Sequence, residues 1–272
     1  SLLRVMIQNL YWYICKAPNN MGDLIAPYLF KKMTGQDPIR VSPKIGQPFF
    51  LSCGSIIGSS NKNAIIWGTG TMFQNAKLVK PLKVLAVRGP ITRQVLLKNG
   101  ISCPAVYGDP GLILPRYYTP NTGGRHYKVG IIPHYSNHEY MAKFFSTVPN
   151  ILIIDINRQV EQVCDDIKAC SATISSSLHG VIVSHAYDVP CAWMTASPYA
   201  KWKIGGGKLK YKDYYLSRGV RQVEPYLWNM LPKNAEQLYT LITRFPQPTN
   251  TVDIEKLVKT CPFGKTTAQI LK

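Results

Sequence analysis

Acidic residues are scarce in this chain: 14 Asp and Glu stand against 32 Lys and Arg in 272 residues, a formal charge of +18. Through residue 118 the only acids are Asp23, Asp37 and Asp109. That surface attracts anions, whether acidic glycans, anionic lipid or phosphorylated small molecules, and it is compatible with peripheral membrane association. Long apolar runs are lacking too. Nothing approaches the ~18 uninterrupted apolar residues of a membrane span. The opening SLLRVMIQNLYWYICKAP breaks its apolar residues with Gln8, Asn9 and Lys16, unlike a secretion signal. The first residue is Ser rather than Met, which leaves an upstream anchor or domain open.

Paired cysteine motifs are missing. The seven cysteines (Cys15, Cys53, Cys103, Cys164, Cys170, Cys191 and Cys261) are odd in number, dispersed and without a CxxC. They read as buried reduced thiols of a cytosol-like compartment rather than as disulfides or a zinc site. No HExxH or carboxylate cluster supports a metal, so none is assigned. GxSxG is absent, which removes the usual serine-hydrolase elbow. Neither a P-loop nor a full GxGxxG occurs, and no zinc-finger or helix-turn-helix spacing points to specific nucleic-acid binding.

What the chain does have is alternation. Short β-branched runs at 49–53, 63–68, 83–89, 129–135, 150–156, 172–177 and 191–196 are almost continuously apolar, as parallel strands covered on both faces require. Amphipathic segments lie between them. GDLIAPYLFKKMTG (22–35), GPITRQVLLKNG (89–100) and RQVEQVCDDIKAC (158–170) carry helical spacing and helix punctuation. The alternation predicts an α/β fold with mostly parallel sheets. PRYYTPNTGGRHYK (115–128) lacks apolar periodicity and reads as a linker. The expected organisation is therefore two Rossmann-like domains facing across a cleft, 1–118 and 119–240, followed by a helical tail, 241–272.

Open parallel sheets bind ligands beyond the carboxyl ends of their strands, where helix N-termini offer free N–H groups to anions. Unusual clusters fall at these junctions: NNMGD (19–23), SCGSIIG (52–58), WGTGT (67–71), VRGPIT (87–92), YGDPG (107–111) and SSSLHG (175–180). They nominate Asn20, Gly22, Asp23, Gly54, Ser55, Gly68 and Gly70 as substrate-binding positions. In SSSLHG the serines can cap a helix or donate to an anion, with His179 in the first turn able to move a proton near neutral pH. A serine-capped helix with a structural histidine fits the same residues. Arg88 ends a buried strand and needs an acid, either a structural carboxylate or a ligand's carboxylate or phosphate. His134 closes the first strand after the linker and should face the cleft. Asp109 reads as a turn residue, and His185 as a core or surface histidine.

NNMGD, CGSII, WGTG, VRGPIT...LLKNGI, VYGDPGLILP, VGIIPHY, SSSLHGVIVSHAYDVP and YKDYYLS, in that order, resemble the polysaccharide pyruvyl transferases across roughly residues 5–220. The resemblance implies a GT-B-like pair of domains and a transferase that uses phosphoenolpyruvate as donor, without a cofactor. Such an enzyme builds a pyruvate ketal on a sugar of a polysaccharide, glycan or lipid-linked oligosaccharide acceptor. It places His179 as general acid/base and Arg88 on the donor's carboxylate or phosphate, with Ser176, Ser177 and the Leu178 backbone completing the anion site. Some members carry Arg where this chain has Ser177, so a cation is missing there; Lys201, Lys203 and Lys212 are nearby substitutes. Two other readings compete: a GT-B glycosyltransferase using a nucleotide sugar, and a basic polyanion-binding module.

Overall fold

The computed structural model describes residues 1–14, 19–195, 207–249 and 253–272. The near-continuous apolar runs form two sheets of five strands each. In the first, β1 (Asn9–Tyr11), β2 (Ile39–Arg40), β3 (Phe49–Leu51), β4 (Ala64–Trp67) and β5 (Lys83–Ala86) lie in the order β2-β1-β3-β4-β5. In the second, β6 (Tyr127–Ile132), β7 (Ile151–Ile153), β8 (Cys170–Ser175), β9 (Cys191–Thr195) and β10 (Tyr226–Leu227) lie in the order β10-β9-β8-β6-β7. Every strand pairing in both sheets is parallel. β3 and β4 are buried at every residue, so both faces of the sheet are covered.

Parallel strands need crossovers, and the helices supply cover: α1 (Met21–Thr34), α2 (Pro90–Lys98), α3 (His138–Phe145), α4 (Val160–Lys168), α5 (Leu178–Ala186), α6 (Leu209–Ser217), α7 (Ala235–Arg244), α8 (Ile254–Lys259) and α9 (Thr267–Leu271). Their ends follow the sequence. Asn20 caps α1 by accepting from the Gly22 N–H, and Gly35 closes it in the left-handed conformation at φ 72°. Pro90 opens α2, where its missing N–H costs nothing. Gln159 and Gln162 form a capping box at α4. Six cysteines (Cys53, Cys103, Cys164, Cys170, Cys191 and Cys261) are buried free thiols, and Cys15 lies outside the described residues.

Two expectations about organisation change. The halves share an apolar core: Ile25, Leu29 and Phe30 of α1 belong to the same cluster as Ile154, Val163 and Ile167 of the second half. The Met21 N–H also donates to the Ile156 carbonyl at 2.8 Å. The carboxyl-terminal stretch is no separate tail either. α7 packs on β6, β8 and β9 of the second sheet and straddles the expected boundary at 240/241. The chain after it returns to the first half, where Phe263 stacks against Phe30, Phe50 and Trp67 with ring centroids 5.2 Å apart in each case. Trp67 Nε1–H donates to the Leu257 carbonyl beneath them. Apolar burial decides both outcomes, because the exposed side of the first sheet finds its cover in residues far along the chain.

Candidate functional site

The carboxyl ends of strands from both sheets point at one cavity of about 330 Å³. It is lined by Asn20 and Asp23 from the start of α1, Gly54, Ser55 and Ile56 after β3, and His134 and Tyr135 after β6. Ser177, Leu178 and His179 at the start of α5 and Lys210 on α6 complete the wall, with Tyr13 and Met72 at its edge. A larger depression of about 640 Å³ beside Lys80, Lys83, Cys103 and Pro104 brings together no acid with a base. The smaller cavity does bring acidic and basic side chains together.

His179 is held from two sides. Its Nε2 lies 3.1 Å from Asp109 Oδ2. Asp109 is fully buried, and burial alone would raise its carboxyl. The His179 charge, with hydrogen bonds from His179, the Gly111 N–H and the Cys53 thiol, instead holds it below the ordinary carboxylate value. An ionised Asp109 fixes Nε2 as the protonated nitrogen and supports an imidazolium, which leaves Nδ1 to take and give a proton. On the Nδ1 side is Gly22: a Cβ there would stand 2.5 Å from Nδ1, so only glycine lets the ring approach. Asp109 reaches this place because residues 106–108 run beside the end of β5, with Val87 paired to Tyr107. The turn reading of Asp109 is half of its role. Oδ1 accepts from the Gly111 N–H at 2.8 Å, and Oδ2 remains for His179.

Cys53, Asp109 and His179 offer three donor atoms within 4.8 Å of one another, a set that could hold a metal ion. The Cys53 thiol is pushed well above its usual value by burial and by Asp109. Cys53 Sγ stands 3.4 Å from Asp109 Oδ1, so the three side chains form a thiol–carboxylate–imidazole hydrogen-bonded chain.

The remaining wall is built for an anion. The N–H groups of Leu178 and His179 open the first turn of α5 and lack intrahelical partners by helix geometry, while Ser177 Oγ accepts from the Gly180 N–H. His134 accepts the Ser136 N–H at Nδ1, which assigns the proton to Nε2; burial, then Lys210, lowers its pKa to about 4, so it stays a neutral donor. Burial lowers Lys210 to about 8, with the Arg88 charge adding to the effect and Asp23 opposing it. Burial raises Asp23 to about 6, offset in part by His179 and Lys210.

The Asp23 shift has a sign that can be measured. A carboxyl whose folded pKa is raised from 3.8 to about 6 favours the folded state when protonated, and this contribution fades as pH rises from about 4 through 6. Asp23→Asn should therefore raise the unfolding free energy at pH 8 by about 2 kcal/mol after allowance for partial exposure. The gain should shrink towards zero at pH 4 in urea titrations at the two pH values.

Several nominated residues lie elsewhere. Arg88 is 1% exposed and does not reach the cavity. Its Nε meets Asp213 Oδ2 at 3.0 Å, Nη1 donates to Ser55 Oγ at 2.6 Å and Nη2 to the Thr71 carbonyl at 2.9 Å. Its acid is the structural carboxylate of Asp213, and its Nη1 supports the Ser55 wall of the cavity. Gly70 packs on that guanidinium and Gly68 on Pro110, so both are close-approach positions. Ser176 is fully buried; its Oγ accepts from the His134 N–H and its carbonyl from Tyr211. His185 is in the core, with Nδ1 at 2.8 Å from Tyr214 Oη. Lys212 pairs with Glu224 on the surface, and Lys201 and Lys203 lie outside the described residues. Lys210, between them in sequence, is the lysine that lines the cavity among the described residues.

A family model described as polysaccharide pyruvyl transferase matches residues 43–198, more than half of the chain. The uncharacterized protein L143 of Acanthamoeba polyphaga mimivirus is 28% identical over 245 residues, covering 87% of this chain and 82% of its own length. No solved structure matches the chain significantly.

Proposed function

The chain belongs to the polysaccharide pyruvyl transferase family, and from that premise we propose that its cavity takes phosphoenolpyruvate and transfers the pyruvyl carbons to two hydroxyls of a glycan acceptor. The observation that carries this reading is the Asp109–His179 pair at the mouth of an anion-binding helix, inside a cavity otherwise lined by Lys210 and the neutral His134.

The reaction asks for balanced proton traffic. The donor's methylene carbon gains a proton as positive character develops at the neighbouring carbon, and a sugar hydroxyl adds there and loses its own proton. Inorganic phosphate then leaves with the C–O electron pair, and a second hydroxyl closes the ketal as its proton departs. Protonated at Nδ1, His179 delivers the first proton; once neutral it accepts one from a hydroxyl. Asp109 stabilises the imidazolium in between. The free N–H groups of Leu178 and His179, with the neutral His134 donor, face the charge that shifts onto the departing phosphate.

The competing donors separate by binding. In phosphate-free buffer, phosphoenolpyruvate should raise the melting temperature of the full chain while a panel of nucleotide sugars leaves it unchanged. Stabilisation by a nucleotide sugar alone would replace this donor.

A further inference from the structure

We infer that Lys210 is the cation that grips the donor's anionic group, and that helix α6 is the arm that holds it in the cavity. The identity of the anion rests on the reaction proposed above; the anion site itself does not.

Lys210 lines the cavity wall, and among the described residues its ammonium has neither an ion pair nor a hydrogen bond. Its one short-range contact is with the Tyr211 ring, 5.5 Å from the centroid. Asp23 on the same wall attracts it without pairing, and a half-buried ammonium with no paired anion marks a place where a ligand can supply the missing charge. The other lysines of the helix are spent: Lys208 and Lys212, one turn apart, both reach Glu224, at 2.7 and 2.9 Å.

What turns Lys210 inward is the packing of its own side of α6. Asp213, three residues on and so on the same side, is fully buried. It accepts the N–H groups of Ile91 and Thr92 at the start of α2, the Thr92 hydroxyl and Arg88 Nε. Tyr211 Oη donates to the Ser176 carbonyl at 2.6 Å, and its ring stacks on Trp193 with centroids 4.4 Å apart. The helix is thus pinned to the first half by Asp213 and to the SSSLHG turn by Tyr211, with Lys210 aimed between them. The cation comes from a helix more than 30 residues beyond Ser177.

Isothermal titration of the full chain with inorganic phosphate, and separately with phosphoenolpyruvate, tests this. Lys210→Met should weaken both by about tenfold or more, the loss expected when a charge-assisted contact is removed. Lys210→Arg should stay within about threefold of wild type, and the unliganded melting temperature of Lys210→Met should not fall, because a buried charge has been replaced by an apolar chain. If Met at this position does unfold the chain, Lys210→Gln carries the same comparison. Unchanged binding of both anions to a folded Lys210→Met or Lys210→Gln overturns the assignment. Lys210-dependent phosphate binding with no pyruvylated product keeps the anion arm and overturns the donor, whereas product formation with an unaltered KM for phosphoenolpyruvate overturns the arm alone.

Discussion

His179→Ala is expected to lower kcat for pyruvyl transfer by about 10²–10⁴, the usual contribution of a positioned acid/base, while the chain stays folded and still binds phosphoenolpyruvate. The separation follows from where the imidazole stands. Nε2 is occupied by Asp109, and the side chain is mostly buried at the start of α5 rather than within a core that depends on it. The anion-facing groups, Leu178 N–H, His134 and Lys210, belong to other residues and persist when the ring is removed. Steady-state rates with phosphoenolpyruvate and acceptor, alongside titration calorimetry of the donor, read the two quantities independently. A variant that turned over at the wild-type rate would remove His179 from the mechanism.

Arg88→Met is expected to act on stability before it acts on rate. The change leaves the Asp213 carboxylate buried without its counter-charge, and removing one partner of a buried pair costs about 3–5 kcal/mol. That is a large share of the ~5–15 kcal/mol that holds a typical domain together, and for a chain of this size it corresponds to a fall in melting temperature on the order of 10 °C. Asp213 retains the Ile91 and Thr92 N–H groups and the Thr92 hydroxyl, which limits the loss. The double change Arg88→Met with Asp213→Leu should recover part of it, because no charge is then left stranded. Had Arg88 gripped the donor directly, the single variant would keep its midpoint and lose only donor affinity. Chemical denaturation of the single and double variants distinguishes these outcomes.

Arg88 also shows where the sequence stops. That a guanidinium at the end of a buried strand needs an acid follows from desolvation alone; which acid depends on a contact 125 residues away, and no local pattern encodes that. The strands from β3 to β9 were legible because parallel strands covered on both faces leave continuous apolar runs. β1, β2 and β10 escaped because they are short and their residues are interrupted by polar neighbours or lie partly exposed, so no continuous apolar run marks them. The junctions were legible as well: Asn20, Asp23, Gly54, Ser55, His134, Ser177, Leu178 and His179 do line one cavity. Asp109 was read as a turn residue because half of it is one, and its second oxygen has no sequence signature. Lys210 was hidden among Lys201, Lys203, Lys208 and Lys212. The signal that singles it out is Asp213, an acid three residues on among tyrosines. A carboxylate buried in such a helix fixes which face turns inward, and Lys210 shares that face.

Transfer of the pyruvyl carbons of phosphoenolpyruvate to a glycan is the activity expected of this cavity. The most direct measurement is inorganic phosphate release from phosphoenolpyruvate by the full chain, with and without a panel of galactoside, mannoside and N-acetylhexosamine acceptors, followed by mass spectrometry of each acceptor. The account predicts release only with an acceptor, and an acceptor heavier by one pyruvate less one water. Phosphate released equally without any acceptor, or acceptors left unmodified while phosphate accumulates, would contradict it.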